Sequence, residues 1–264
     1  MRRLEDTTAV VSDEVLVDVQ DGVLVVTLNR PAARNAVNLA VAEAVAAAMT
    51  ELDARADLTV GVLTGAGGTF CAGMDLKAFV RGESPVIPGR GFLGLVEAPP
   101  EKPLIAAVEG FALAGGCEAV LAADLVVASR TATFGIPEVK RGLVAAAGGL
   151  MRLPRRIPPA VAMELALTGD LIGAERAFAL GLVNRLADEG NALDTAIELA
   201  RSVAANGPLA VRASKRIIHE SVQWPPDAMF ERQREITGPV FASADAQEGA
   251  RAFAEKRPPR WRGE

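Results

Sequence analysis

The chain of 264 residues has no tyrosine, one histidine and two cysteines. Without tyrosine, no phenol can serve as an acid or base. A single imidazole, His219, leaves too few ligands for a conventional zinc site. Two thiols, Cys71 and Cys117, are too few for a disulfide framework and read as small buried packers. A basic excess is missing as well: the net charge is −5. That argues against a nucleic-acid partner. There is also no long uninterrupted apolar run. The richest region, Pro103 to Ser129, carries Glu109, Glu118 and Asp124, which argues against a membrane span. The opening MRRLED has two arginines and no apolar run behind them, so no signal peptide is expected. A soluble cytoplasmic protein is the expectation.

What is present is a chain that is half apolar, enough for a sizeable core. Val15–Val19 and Val23–Leu28 are β-branched runs joined through Asp21-Gly22, a hairpin signal. Val37 to Leu52 has helical spacing. Strands are expected at Thr59–Thr64, Leu104–Val108 and Leu125–Ala128. Gly115-Gly116 opens a helix of roughly two turns, and Pro137-Glu138 opens another. The glycines and prolines of Arg81 to Pro100 predict a long mobile loop. Beyond Gly148 the pattern is helical almost throughout, with helices expected at Val161–Leu167, Ala174–Leu180, Asp194–Ala205 and Leu209–Val222 and a break at Arg155 to Pro159. The first half thus alternates strands and helices, and the second half is helical. Arg152, Arg155 and Arg156 read as a solvated basic face, Asp124 as a local cap or ion-pair partner, His219 as structural, and the basic tail EKRPPRWRGE as surface.

One theme recurs: an apolar strand, a turn of small residues, then a helix start. It occurs in VGVLTGAGGTFCAGMDL and in LIAAVEGFALAGGCEAV. Helix starts carry unpaired N–H groups and partial positive charge, and small residues let a ligand approach that backbone. Two such turns could aim two N–H groups at one oxygen and form an oxyanion hole; tight strand–helix packing selects the same residues. Glu118 lies one turn into a helix of otherwise small or apolar residues, where an unpaired carboxylate costs several kcal/mol. Glu138 follows 20 residues later. Two carboxylates at one site can divide acid and base work, because proximity raises one pKa. GAGGTF only half matches a dinucleotide fingerprint.

Together these segments resemble the crotonase, or enoyl-CoA hydratase/isomerase, superfamily. FCAGMDL (Phe70–Leu76) resembles its first oxyanion-hole motif, ALAGGCE (Ala112–Glu118) the second, and FGIPEVKRGL (Phe134–Leu143) the segment with a second catalytic glutamate. NRPAARNAV and EGARAFAEKRPPRW also match, so the resemblance covers nearly the whole chain. It implies an α/β fold: a spiral of ββα units over residues 1–200, then a helical oligomerisation region over 201–264 that makes trimers or dimers of trimers. It implies an oxyanion hole from the N–H groups of Ala72 and Gly115, with Ala72, Gly73, Met74 and Asp75 along coenzyme A. Glu118 and Glu138 become the acid/base pair, and Phe253 and Lys256 become contacts of coenzyme A, Lys256 reaching its phosphates with Phe253 nearby. The implied activity is hydration of a trans-2-enoyl-CoA in fatty acid degradation, without metal or redox cofactor, coenzyme A being part of the substrate. A carnitinyl-CoA dehydratase-like lyase or isomerase is the alternative, suggested by GGLMRLPRRIPP; a non-catalytic acyl-CoA-binding relative is a third. Many members have proline where this chain has Ala145, in a segment that lines the acyl pocket.

Overall fold

The computed structural model describes residues 12–264, so the signal-peptide reading of MRRLED lies outside the described residues. β1 (Val15–Gln20) and β2 (Val23–Leu28) form the expected hairpin, with positive φ at both Asp21 and Gly22 as a tight two-residue turn requires. Asn38 caps α1 (Leu39–Ala54) by accepting from the Val41 N–H, so this helix begins after the cap and not at Val37. β3 (Val60–Gly65) follows, and Asp75 caps the short α2 (Leu76–Val80).

The 81–100 segment departs from the expectation of a long mobile loop. It contains the small hairpin β4 (Val86–Ile87) and β5 (Gly91–Phe92). Phe92, Leu93, Leu95 and Val96 are buried in the main core. Glycines shape this stretch, but its apolar residues anchor it.

β6 (Leu104–Val108), β7 (Phe111–Leu113), α3 (Gly115–Ala122), β8 (Leu125–Ser129) and β9 (Thr133–Gly135) complete the strand-rich half. Pro137 opens only a five-residue 3₁₀ turn to Arg141, ended by Gly142 in a left-handed conformation. Then come α4 (Gly149–Arg156), α5 (Pro159–Thr168), β10 (Ile172–Gly173), α6 (Ala174–Ala179), β11 (Arg185–Ala187), α7 (Ala192–Ala204), α8 (Pro208–Glu220), α9 (Met229–Phe241) and α10 (Ala244–Glu255). The break after α4 is confined to Ile157-Pro158.

The strands form a six-stranded sheet in the order β1-β2-β3-β6-β8-β11, parallel from β2 onward, and a three-stranded sheet, β10-β9-β7. The parallel strands are buried on both faces, which is why they read as continuous apolar runs. Leu24, Val26, Leu104 and Ala106 face the main core. Val23, Val25, Val60, Val62, Ile105 and Val127 face α7, through Ala192, Ala196, Ile197 and Ala200. The short strands β7 and β9–β11 were not legible: two or three residues are too few to establish a period. Among the described residues, no helix is long and apolar enough to cross a membrane.

Asp124 is an anchor for α8. It accepts from the Leu104 N–H at 2.8 Å, Lys215 at 2.6 Å and His219 Nε2 at 2.9 Å. Lys215 also donates to the carbonyls of Pro100 and Lys102. The basic tail is fixed rather than merely laid on the surface. Trp261 donates to the Ala205 carbonyl, and the N–H groups of Arg262 and Gly263 donate to Asp245.

Candidate active site

Three strand-to-turn segments lie side by side. The Cys71 N–H donates to the Phe111 carbonyl and the Leu113 N–H to the Cys71 carbonyl, at 2.8 and 2.9 Å. The Ala114 N–H donates to the Gly135 carbonyl at 2.9 Å, joining the second turn to the strand that leads to Glu138. The Gly73–Met74 turn, the Ala114–Gly115 turn and the Glu138 turn are thereby brought together.

The fit between the turns demands small residues. A Cβ on Gly116 would sit 2.3 Å from the Cys71 carbonyl oxygen, and one on Gly115 would sit 2.6 Å from the Phe92 ring. A Cβ on Gly73 would lie 3.3 Å from the Gly115 nitrogen. Ala114 has φ 51° and ψ −128°, a region that costs a non-glycine residue on the order of 1–3 kcal/mol. Gly115, as the first residue of α3, has no intrahelical partner for its N–H.

On the first turn the expected donor, Ala72, is committed elsewhere: its N–H donates to the Arg34 carbonyl at 3.0 Å. The Gly73 N–H faces the Cys71 sulfur at 3.4 Å, and the Asp75 N–H donates to the Val37 carbonyl. Among the described residues, the Met74 N–H donates to none. The available donor is therefore Met74, two residues beyond the one expected. Sequence could not decide between them, because availability depends on where Arg34 and Val37 place their carbonyls. The Asp75 carboxylate is also occupied, capping α2 and pairing with Arg30 at 3.0 Å. Burial alone would raise its pKa, but the Ala78 N–H and the Arg30 guanidinium outweigh that and hold it below the usual carboxylate range.

Glu118 is 2% exposed. Its Oε1 accepts from the N–H groups of Ala147 and Gly149, each at 2.8 Å. Burial pushes its pKa up, and the two N–H groups and the Arg152 charge offset only part of that rise. Glu138 has less support, from its own backbone N–H. Its Oε2 is buried without a hydrogen-bond partner among the described residues. Burial raises its pKa and the nearby charge of Glu118 adds to the rise, while its own backbone N–H and the Arg141 charge offset part of it. Among the described residues, Glu138 is also the only charged one lining a cavity of about 410 Å³, otherwise walled by apolar side chains including Ile136, Val144, Ala145, Leu150 and Met163.

The two cysteines are buried, and desolvation pushes both thiols up to about 12, which leaves them poor nucleophiles. The arginine cluster is not a solvated face. Arg156 donates to the carbonyls of Ala123 and Asp124 beyond α3, and Arg152 turns inward; Arg155 alone is exposed. Phe253 and Lys256 are exposed and hydrogen-bond to none of the residues above.

A strand-to-turn arrangement that joins two glycine-rich turns to one buried and one half-buried glutamate defines a class of protein. The family model for enoyl-CoA hydratase/isomerase matches residues 18–264, and the chain belongs to that family. It is 65% identical to a crystallised enoyl-CoA hydratase, EchA1 from Mycobacterium marinum, with a TM-score of 0.94, 96% of this chain and 100% of that one being covered. It is 44% identical to the enoyl-CoA hydratase EchA19 of Mycobacterium tuberculosis over 257 residues, 93% of this chain and 95% of the relative. It is also 40% identical to a carnitinyl-CoA dehydratase of Salmonella agona over 250 residues, 91% of this chain and 95% of the relative.

Proposed function

We propose that the protein is an enoyl-CoA hydratase that adds water across the double bond of a trans-2-enoyl-CoA to give a 3-hydroxyacyl-CoA. The observation that carries this is the contrast between the two carboxyls. Burial raises the pKa of both, but two N–H donors to Glu118 work in favour of its ionised form, whereas the orphaned oxygen of Glu138 in apolar surroundings works in favour of its protonated form. Glu118 takes a proton from water as the water oxygen bonds to Cβ. Glu138 gives its proton to Cα. Negative charge developing on the thioester oxygen is met by the N–H groups of Met74 and Gly115. Proton exchange between the two carboxyls restores the starting state, and no redox cofactor takes part. Ala72, Gly73, Met74 and Asp75 lie along the coenzyme A moiety, Asp75 through its backbone because its carboxylate is engaged.

The cavity beside Glu138 supports an aliphatic acyl tail. It offers no aromatic face or second acid to a quaternary ammonium, which weighs against a carnitinyl-type substrate despite the dehydratase relative. Fatty acid degradation in the cytoplasm is the setting this activity suggests, with residues 201–264 as the oligomerisation region.

The test is to follow loss of the conjugated enoyl-thioester absorbance of crotonyl-CoA. Fast loss with formation of 3-hydroxybutyryl-CoA is expected. Crotonyl-CoA bound but not consumed overturns the hydratase assignment, in favour of a specialised dehydratase or a non-catalytic binder.

A further inference from the structure

Arg152 has no place in the chemistry above, yet it turns toward the site. Its Nη2 donates to the Val96 carbonyl at 2.5 Å, and its Nη1 lies 3.4 Å from the Ala147 carbonyl. Ala147 also gives its N–H to Glu118, so one peptide residue joins the guanidinium to the carboxylate. The side chain folds back over Gly148, where φ is +95° and a Cβ would sit 2.2 Å from Nη1. Val96 belongs to the same buried segment as Phe92, whose ring packs on Gly115. Arg152 therefore spans the turn that holds Glu118 and the segment that supports Gly115.

We propose that Arg152 is a positioning residue for Glu118: it ties the Ala147–Gly149 turn to the Val96 carbonyl and places a fixed positive charge behind that turn. The inference rests on Glu118 being a working carboxylate. Two features favour it over a packing role. A guanidinium stays charged throughout the working pH range, and no Arg152–Glu118 ion pair is formed, so the charge acts through the intervening turn without occupying the carboxylate oxygen needed for water. The other groups facing Glu118 do not substitute for it. Glu138 brings no positive charge in either protonation state, and the Cys117 thiol is pushed up to about 12 and uncharged at neutral pH. Arg155 and Arg156 repel Arg152, Arg152 is the only charge that acts on Glu118 among the described residues, and Arg141 acts on Glu138.

The test compares Arg152→Gln with Arg152→Lys in the full-length protein. The Glu118 carboxyl is followed by ¹³C NMR in glutamate-labelled protein, its signal assigned by its loss in Glu118→Gln. The expected result is an upward shift of Glu118 titration in Arg152→Gln by about one unit, the low end of what a nearby opposite charge produces, and a return most of the way in Arg152→Lys. The acid limb of the kcat/KM profile on crotonyl-CoA moves to higher pH in the glutamine variant and stays near wild type in the lysine variant. A folded Arg152→Gln protein, by circular dichroism, whose Glu118 titration is unchanged overturns the proposal, as does an equal shift in both variants. If Arg152→Gln does not fold, Arg152→Lys and Arg152→Met are compared on the same signal, and equal titration in the two overturns it. The NMR readout stands apart from turnover: wild type that leaves crotonyl-CoA unchanged sinks the hydratase assignment, whereas an unmoved carboxyl signal sinks the role of Arg152.

Discussion

At the scale of single residues, Glu118 was legible because a carboxylate inside an apolar helix is costly and invites a reason. Met74 and Arg152 were not, because a free N–H or an inward guanidinium depends on neighbours distant in sequence. Glu118→Gln and Glu138→Gln should each lower turnover on crotonyl-CoA by at least about 10²-fold, as expected for lost acid–base catalysis, with acyl-CoA affinity retained; steady-state kinetics and calorimetry check this. Glu138 also makes a stability prediction. Its folded pKa is raised, so the folded state holds its proton more tightly than the unfolded state. Stability is then lost as pH rises from the unfolded carboxylate value through the folded one. Glu138→Gln escapes that loss. Its Tm should exceed wild type at pH 7, and the gap should close below about pH 4, where both states of the wild type are protonated. Gly115→Ala should impair turnover by forcing a Cβ into the Phe92 ring; adding Phe92→Ala should recover part of the loss, which double-variant kinetics measure.

At the scale of elements, long strands and helices followed their periodicity, while caps and short strands set the details. Asn38 moved the start of α1, and the buried Phe92–Val96 segment turned an expected loop into part of the core. The docking of α8 through Asp124 was legible only as a local cap or ion pair. Lys215 is 91 residues away and His219 is 95, and the fold brings both to it. Asp124→Asn should destabilise the protein by about 3–5 kcal/mol, since it strands Lys215 in a mostly buried site; urea unfolding reads this. Burial would raise the Asp124 pKa, but His219, Lys215 and the Leu104 N–H outweigh it and hold it below the usual range. Its contribution to stability is therefore complete above the unfolded carboxylate value and lost as pH falls through the lower folded value. The asparagine variant should lack that part of the acid-unfolding transition.

At the scale of the whole molecule, α9 has no buried residue, and Phe230, Phe241 and Phe253 are 73%, 80% and 87% exposed. An apolar surface of this kind is poorly suited to water. We expect light scattering at micromolar concentration to give the mass of three or six chains; 27.5 kDa, the mass of one chain, would contradict it.

The sequence by itself determined the alternation of strands and helices, the two small-residue turns and the anomaly of Glu118, since these follow from local periodicity and from the cost of burying charge. It did not determine which backbone donors are free, which carboxyl is supported and which orphaned, or where the arginines point. Those depend on carbonyls and charges far apart along the chain, and only tertiary packing sets the distances between them.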